Sequence, residues 1–554
     1  LEIPIYLTDS VLTPTSTKTD LFGESLEVST SVGLFRIPGE WVRNGGMLLA
    51  IAAPLVEEMV KNQYSTEEAL ERFKKKEGLV FSSNEDVVKD FYDQLLKLEK
   101  ENKNGIWARF LKNSFAPMIA GKFDFVVGNP PWIMWQYLSK EYREATQDLW
   151  KNYGLTKIRQ DRNVLIRGRR DFSMLFVYAT ADYYLRNGAK LGYLITQEVF
   201  KSKGAGEGFR RFQLGEGTHL KVLKAHDLVS IQPFEGATNK TAAIIIKKGE
   251  RTIYPVPYIV WNKKRGVGKI STDELFNDIS LLLIKKRFYA RPIGSDIGMW
   301  QTQIAKDKKS NIEGQNHYKA HAGAYISPYG IFWLKIKEVR SNNQLLVENF
   351  TDNLKVKIPK TEAVIEKDLV FPAVRGSDIR RWNAVPEINV LITHGASQTP
   401  YTEDEMKKKW PRTYSYLINY KEILSQRSLY KHFHEKSGNA FYGQRLFGEY
   451  TFSKYKVVWK RMTNDLISAV VNQHKTLFGY KTIIPVETVS FFSLNDEEEA
   501  HYLCAIINST PVRDFIKSFS SAGRGFGTPS VMEHVRIPKF DPQNSLHLKL
   551  AEIS

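Results

Sequence analysis

The sequence has 554 residues, and its 79 Lys+Arg against 61 Asp+Glu give a formal net charge of +18. With 42% hydrophobic and 25% charged residues, it excludes a disordered, collagen-like or low-complexity chain and predicts about two to four globular domains. The single cysteine, Cys504, excludes an intrachain disulfide framework and any thiolate metal cluster contained in this chain. The surplus of positive charge is consistent with a polyanionic partner such as nucleic acid, and equally with solubility alone.

No stretch predicts membrane attachment. The longest apolar run, residues 47–56, is about half a membrane span and is followed by Glu57 and Glu58. The N-terminus lacks a basic region leading into an apolar one, so no signal peptide is predicted. We therefore expect a cytoplasmic protein. Residue 1 is Leu, and a predicted strand, residues 3–9, begins almost immediately after it. We therefore also expect the chain to be part of a longer protein.

The element pattern in chain order predicts an α/β fold. Residues 39–115 show helical spacing of apolar positions and predict a helical region, which we place as an insertion over about 36–115. From Gly121 onward, short apolar strands alternate with helices, as in a mostly parallel sheet. The predicted strands are 123–127, 191–196, 222–228 and 242–247, with a helix over 172–186.

Changes in composition suggest the domain limits. The alternation of strands and helices fades into a connector, residues 266–299, that contains a predicted helix over 273–288. We expect a catalytic domain over 1–265 and a second, mixed α/β domain over 300–554. The glycine-rich run Gly204–Gly208 follows Lys203 rather than a strand, so it is predicted to be a mobile loop.

The strongest chemical signal is the loop Asn129-Pro130-Pro131-Trp132, which directly follows the strand 123–127. Strand 123–127 is expected to be buried, and ligands of open α/β sheets bind at the carboxyl ends of such strands. Two prolines make the loop stiff. The Asn129 side-chain carbonyl and the Pro130 main-chain carbonyl could accept hydrogen bonds from an amino group, and Trp132 offers a flat face for a base.

The strand and its loop resemble motif IV of the amino-methyltransferases, which methylate exocyclic amines with S-adenosylmethionine. The order of the following segments resembles the gamma class of adenine-N6 DNA methyltransferases from restriction-modification or phage-defence systems. Residues 171–196 and 208–211 resemble motifs V and VI, and 226–246 resembles the region of motif VIII. The resemblance implies a partial Rossmann-like methyltransferase sheet in which Phe234 and Trp132 stack on either side of a flipped base.

The resemblance also implies a cofactor site that this sequence carries incompletely. The glycine-rich motif I, which holds the cofactor in the family, does not precede Asn129. We expect it upstream of Leu1 or in a partner subunit. A nuclease domain could also precede Leu1. The strand 6–12 resembles motif III, which makes Asp9 the candidate for S-adenosylmethionine binding. Asp182 with Glu198 and Lys201 has the residue types of a nuclease site, but these residues lie in the methyltransferase core, so no metal site is predicted.

The second domain resembles, more loosely, the target-recognition domains of type I and type IIG restriction-modification systems. The segments that carry this resemblance are 370–382, 455–461, 500–509 and the predicted closing strand 534–538. Basic and aromatic side chains alternate there, as on a surface that contacts double-stranded DNA. The candidate DNA-binding residues are Arg375, Arg380, Arg381, Trp382, Lys460, Arg461 and Arg524.

Two other functions stay open at this stage. The Asn-Pro-Pro loop would serve any amide or exocyclic amine, so an amino-methyltransferase acting on RNA or protein glutamine is one alternative. The other is a DNA-binding specificity module without catalytic activity. The long basic second domain argues against the first alternative, and the intact Asn129–Trp132 loop argues against the second.

Overall fold

A computed structural model describes residues 10–12, 25–30, 33–42, 47–76, 85–101, 121–156, 170–215, 217–234, 236, 238–268, 270, 276–304, 311–352, 358–520 and 525–554. Asp9, the predicted strand 3–9 and Arg524 lie outside these residues. The chain divides into two compact units. The first comprises Leu1–Pro292 with Asp296–Lys306, and the second Ile293–Ser295 with Asp307–Ser554. In the described ranges, no helix is both long and apolar enough to cross a membrane.

The helical region predicted after residue 36 is confirmed as far as it is described. A hairpin of Ser25–Thr30 and Gly33–Pro38 precedes it. Ser65 caps one of the helices, because its Oγ accepts from the Glu68 N–H at 3.3 Å and Glu68 accepts from the Ser65 N–H at 2.9 Å. A separate aromatic core, with the Trp41 and Phe73 rings 5.5 Å apart, holds the helices together. The helices are Gly39–Val42, Met47–Lys61, Thr66–Lys75 and Glu85–Lys100.

A mixed sheet dominates the rest of the first unit and confirms the predicted α/β class. The expected mostly parallel pairing is wrong, since most neighbouring strands pair antiparallel. Adjacent strands such as Thr218–Asp227 and Thr241–Lys248 are joined directly by a loop rather than by a crossover helix. Its central strands are rich in Ile, Leu, Val and Ala, and the strands Leu185–Thr196 and Thr241–Lys248 pair antiparallel through the middle of the core. Three strands point in the same direction, so their carboxyl ends lie at the same end of the sheet. These strands are Leu185–Thr196, Thr218–Asp227 and Phe123–Gly128. In spatial order the main strands are Trp300–Gln303, Leu283–Pro292, Val256–Lys263, Thr218–Asp227, Thr241–Lys248, Leu185–Thr196 and Phe123–Gly128.

Helices complete this unit. The helix Phe172–Tyr183 is nearly all buried against the sheet and ends three residues earlier than predicted, because the strand that follows already begins at Leu185. The run Gly204–Gly208, predicted as a mobile loop, instead caps and enters a short helix, with Gly204 as the N-cap residue and the rest inside the helix. A Cβ on Gly208 would lie 2.7 Å from the Leu155 backbone, so close packing explains this glycine. The remaining helices are Lys140–Asn152, Glu198–Lys201, Ala205–Phe209 and Phe276–Leu282.

Two sequence predictions are wrong here. The connector helix 273–288 is only Phe276–Leu282 in the described residues, and the chain then runs as the strand Leu283–Pro292, which pairs with Val256–Lys263. The strand Phe123–Gly128, hereafter the edge strand, is not buried. Phe125 and Val127 are 71% and 83% exposed, because the edge strand is the last strand of the described sheet. Its apolar composition indicated burial, but composition cannot tell which strand is terminal.

The second unit contains two further sheets in its described residues. The larger runs in the order Glu362–Glu366, Gln344–Asn349, Trp333–Arg340, Ile388–Leu391, Val370–Val374 and Ile484–Pro485. The smaller runs in the order Ala320–Ala322, Val489–Leu494, Tyr455–Lys460 and Ser468–Val471. Two small hairpins pair Ile379–Arg380 with Asn383–Ala384 and Gln473–Thr476 with Gly479–Thr482. The helices are Tyr329–Phe332, Glu403–Lys409, Pro411–Ile418, Lys421–Gln426, Glu497–Asn508, Thr510–Phe519 and Ser545–Ile553.

The predicted strand at 455–461 and helix at 500–509 are confirmed in outline. The predicted closing strand 534–538 is wrong. Residues Pro529–His534 form a 3-10 helix, and Val535 makes one isolated bridge to Glu313. The proline at 538 has no N–H for a sheet ladder, which limits regular pairing at this end.

A buried histidine predicts that the second unit loses stability in mild acid. His394 stacks on Phe447 at 4.7 Å, and its Nε2 accepts from the Gln444 main-chain N–H at 2.8 Å. Burial and the neighbouring His434 lower the pKa of His394 to about 3. Its stabilising neutral form is fully present above the unfolded pKa of about 6.5, and stability falls as the pH drops towards 3.

Lowering the pH from 7.5 to 5 should therefore reduce the unfolding free energy by about 2 kcal/mol through His394. The measurement is urea unfolding at both pH values for the wild type and His394→Gln, with the exposed His432→Gln as the matched control. We expect His394→Gln to lower stability at pH 7.5 but to lose less on acidification. An equal loss in all three proteins would refute the assignment.

Candidate active site

The Asn129–Trp132 loop lies where the sequence placed it, at the carboxyl end of a strand. The edge strand pairs parallel with Leu185–Thr196, with Gly128 opposite Tyr193. Pro130 is buried and Asn129 is exposed. The Asn129 side chain makes no hydrogen bond to any other described residue. Its amide is therefore available to a ligand.

Close packing explains the glycine before the loop. A Cβ on Gly128 would lie 2.8 Å from Cε1 of Tyr193, closer than real side chains approach. The Tyr193 ring is held in place because its hydroxyl shares a 2.8 Å hydrogen bond with Thr180 Oγ1 in the core. Gly128 thus lets the edge strand lie against Tyr193 and sets the position of Asn129.

Hydrogen bonds fix the far side of the loop. The Trp132 indole Nε1 donates to the Leu194 carbonyl at 3.2 Å. The Phe172 N–H donates to the Ile133 carbonyl at 2.9 Å, which joins the loop to the helix Phe172–Tyr183. That helix is capped by Asp171, whose buried carboxylate accepts from Ser173 and, at 2.7 Å, from Thr196 Oγ1. Burial raises the pKa of Asp171.

Asp171 was missed as a site residue in the sequence. Its signal was an Asp directly before an apolar helical run, with Ser173 two residues later, which is typical of a helix N-cap. The additional contact with Thr196 could not be read from the sequence, because it joins two elements 25 residues apart.

Phe234 is brought to Trp132, but not in the arrangement expected. The two ring centroids are 5.1 Å apart and the planes are inclined at 78°, so the rings touch edge to face. They do not flank a parallel slot. Phe234 belongs to the segment 228–240, hereafter the Phe234 loop, which joins the strands Thr218–Asp227 and Thr241–Lys248.

Asp227 anchors the start of the Phe234 loop. Its Oδ2 accepts from Gln197 Nε2 and from the Tyr258 hydroxyl, both at 2.7 Å, and its Oδ1 accepts from the Val229 N–H at 3.0 Å. Burial lowers the pKa of Lys201 to about 8, and the charge of Asp227 opposes this shift. The Phe234 loop is therefore held at its base by a buried carboxylate that the sequence analysis did not single out.

The described residues do not form a complete site for S-adenosylmethionine. They supply the carbonyl groups and aromatic rings for an amine, on one side of the edge strand. In the described part of the chain, no glycine-rich turn follows a strand beside Asn129, and the edge strand presents exposed Phe125 and Val127 on one face of the sheet. Asp9, the predicted cofactor ligand, lies outside the described residues.

The predicted DNA-binding residues differ in exposure and in the contacts that their side chains already make within the protein. Arg375 is bound to Asp378 at 2.8 Å and to Glu387 at 2.6 Å. Arg381 donates to the Asn508 carbonyl at 3.0 Å, and Arg461 to the Glu487 carbonyl at 2.7 Å. Arg380 is exposed, but its Nη1 donates to the Ser377 carbonyl at 2.6 Å. Trp382 is exposed, and Lys460 is half-buried at the wall of a cavity. Arg524 lies outside the described residues.

Part of the first unit matches a known protein family. Residues 41–231 match the family model described as Eco57I restriction-modification methylase. This range covers the described helices from Met47–Lys61 to Ala205–Phe209, the Asn129–Trp132 loop and the strand that leads to the Phe234 loop. The resemblance to restriction-modification methyltransferases inferred from the sequence motifs is confirmed.

Among individual proteins, the chain is similar to the type II methyltransferase M.NspV of Nostoc sp., with 29% identity over 160 residues. The match covers 28% of this chain and 30% of that protein. Solved structures give weaker likenesses. The type IIL restriction-modification enzyme MmeI in complex with DNA has 11% identity and a TM-score of 0.39, covering 75% of this chain and 45% of that one. LlaBIII, an ATP-dependent type ISP restriction-modification enzyme bound to DNA, has 10% identity and a TM-score of 0.37, with 87% and 31% coverage.

The chain spans less than a third of the curated relative it matches and less than half of these two solved proteins.

Proposed function

We propose that the chain is the amine-binding and DNA-recognition part of an adenine-N6 DNA methyltransferase from a restriction-modification or phage-defence system. The predicted methyl donor is S-adenosylmethionine and the predicted substrate is double-stranded DNA. The observation that carries this proposal is the Asn129 side chain, exposed and without a described partner at the end of a strand, next to Trp132 and Phe234. The family match over residues 41–231 supports it.

In this proposal, the Asn129–Trp132 loop acts by positioning. The exocyclic amine of adenine donates one hydrogen bond to the Asn129 Oδ1 and one to the Pro130 carbonyl. Both bonds hold the nitrogen in place and draw its lone pair away from the ring. Because a buried proline and the packing of Gly128 on Tyr193 hold the backbone of both residues, only the Asn129 side chain has to turn when the amine arrives.

A base must leave the duplex to reach this loop, at a cost of a few kcal/mol. Stacking on Trp132 offsets part of that cost. Since Phe234 now touches the edge of Trp132, the incoming base would displace the Phe234 ring and then stack between the two rings. The hydrogen bond between Asp227 and the Val229 N–H would keep the start of the Phe234 loop fixed while Phe234 moves.

We further propose that the cofactor is held by residues on the outer side of the edge strand. They belong to an N-terminal portion of the protein or to a partner subunit. An apolar strand with exposed Phe123, Phe125 and Val127 at the end of a largely buried sheet is suited to pairing with another strand. That pairing would complete the cofactor side of the site next to Asn129.

The test is calorimetric titration of the full chain with S-adenosylmethionine, alone and with duplex DNA. Cofactor binding would support a complete enzyme, and a methyl-transfer assay on duplex DNA, RNA and a glutamine-containing protein would then identify the substrate. Binding of DNA without the cofactor would assign the chain to the amine-binding and recognition part. Absence of binding to both would refute the proposal.

A DNA-binding specificity module without catalytic activity is the second candidate. The observation that favours it is the incomplete cofactor side of the site in the described residues. It would be supported if an added cofactor-binding portion restored S-adenosylmethionine binding but no methyl transfer.

Trp132→Ala tests base capture. Loss of one stacking partner should weaken binding of the flipped base by about 1–3 kcal/mol, or about 5-fold to 150-fold. The measurement is the fluorescence of 2-aminopurine at the target position, titrated with wild type and variant. Trp132→Phe is the control, since it keeps a ring while removing the indole bond to the Leu194 carbonyl. An unchanged response in Trp132→Ala would contradict the role of this ring.

A further inference from the structure

A small hairpin in the second unit combines a firmly held inner side with an exposed outer side. Its strands are Gln473–Thr476 and Gly479–Thr482, joined by Leu477 and Phe478. Lys475 faces Tyr480 across the pair, and Gln473 faces Thr482. Because strand side chains alternate, Gln473, Lys475 and Tyr480 share the outer side, while His474 and Lys481 share the inner one.

The inner side is anchored in the protein. Phe478 is buried in the core of the larger sheet. Lys481 Nζ donates to the carbonyls of Lys367 and Asp368 at 3.1 and 3.2 Å and lies 4.8 Å from the centre of the Phe371 ring. A hairpin held in this way is presented at the surface as a fixed body.

The outer side is unusually apolar and basic for an exposed hairpin. Leu477 at the tip is 83% exposed and Tyr480 is 68% exposed. Lys475 is exposed and has no ion pair with any described residue. The segment 473–482 contains no acidic residue. Large exposed apolar side chains next to unpaired positive charge indicate a binding surface rather than a solvated one.

The hairpin adjoins the predicted DNA-binding residues of the same unit. Together with Trp333, it lines an open cavity of about 560 Å³. Trp333 also lines a neighbouring cavity of about 380 Å³, whose wall includes Lys460. Glu387, the acidic residue of the larger cavity, is already paired with Arg375 at 2.6 Å. Glu487, the acidic residue of the smaller cavity, accepts a hydrogen bond from the Tyr329 hydroxyl, and burial raises its pKa. The surface from the hairpin to Lys460 is therefore continuous and carries little free negative charge.

We infer that this hairpin enters the major groove of duplex DNA and contacts base edges there. The inference rests on the proposed function, since it assumes that the second unit binds DNA. The major groove admits a two-stranded ribbon. Lys475 supplies a donor for guanine or phosphate, Gln473 a donor and acceptor for adenine, and Leu477 an apolar contact for a thymine methyl group. None of these residues was among the DNA-binding candidates derived from the sequence.

The first test is the salt dependence of binding of the full chain to a fluorescein-labelled, mixed-sequence DNA duplex. Lys475→Ala should reduce the slope of log affinity against log salt by about 1. Lys408→Ala, which removes an exposed lysine from the helix Glu403–Lys409 of the same unit, is the matched control and should leave the slope unchanged.

The second test locates the contact. Duplexes carrying 5-iodouracil place iodine in the major groove at the position of the thymine methyl group. Irradiation should cross-link them to the tryptic peptide Thr476–Lys481, which contains Tyr480. A changed slope without this cross-link would place Lys475 on the phosphate backbone and overturn groove insertion.

The two tests separate this inference from the proposed function. If the wild type shows no salt-dependent DNA binding, the proposed function itself fails. If the wild type binds but Lys475→Ala retains its full slope, the hairpin does not contact DNA, and DNA recognition must lie elsewhere in the second unit.

Discussion

Replacing Asn129 by Ala should reduce methyl transfer by about a thousandfold, because it removes one of the two acceptors that position the amine. The side chain is exposed and makes no hydrogen bond to a described residue, so the variant should fold normally and retain its affinity for DNA. The measurement is transfer of a radiolabelled methyl group to duplex DNA. The assay contains the protein together with the N-terminal portion or partner subunit that binds the cofactor, if the chain alone does not bind it.

Asn152→Ala is the matched control for this experiment. Asn152 is exposed at the end of the helix Lys140–Asn152, and its removal should leave both transfer and DNA binding unchanged. Equal turnover in Asn129→Ala and the wild type would remove the basis for the proposed chemistry.

Gly128→Ala should lower the turnover number by about a hundredfold, although Gly128 touches no substrate in the proposed mechanism. The added methyl group would lie 2.8 Å from the Tyr193 ring, which is bonded to Thr180 and cannot easily turn away. The end of the edge strand must then shift, and Asn129 and Pro130 shift with it. The measurement compares kcat, KM and DNA affinity, and we expect the loss in kcat alone.

Gly192→Ala is the control on the neighbouring strand. A Cβ there would meet only Val127 Cγ1 at 3.8 Å, an ordinary contact, so activity should stay near that of the wild type. Adding Tyr193→Ala to Gly128→Ala should restore part of the turnover by making room for the new methyl group. A Gly128→Ala variant with normal kcat would show that this packing does not set the position of Asn129.

The sequence predicted the elements that depend on local pattern. Helical spacing identified the region after residue 36, and runs of β-branched residues identified strands such as Thr241–Lys248. It failed where tertiary pairing overrides local preference. The segment from Leu283 was predicted as the second half of a helix, yet it forms a strand because it pairs along Val256–Lys263.

The sequence by itself also determined the chemical content of the candidate site. A strand followed by Asn129-Pro130-Pro131-Trp132 predicts a stiff loop with two acceptors and a ring, because the prolines restrict the backbone locally. The contact of Trp132 with Phe234, the anchoring of the Phe234 loop by Asp227 and the exposure of the edge strand were decided only by the tertiary structure. Each depends on which distant segments become neighbours in the sheet, and a pattern read along one stretch of chain does not contain that information.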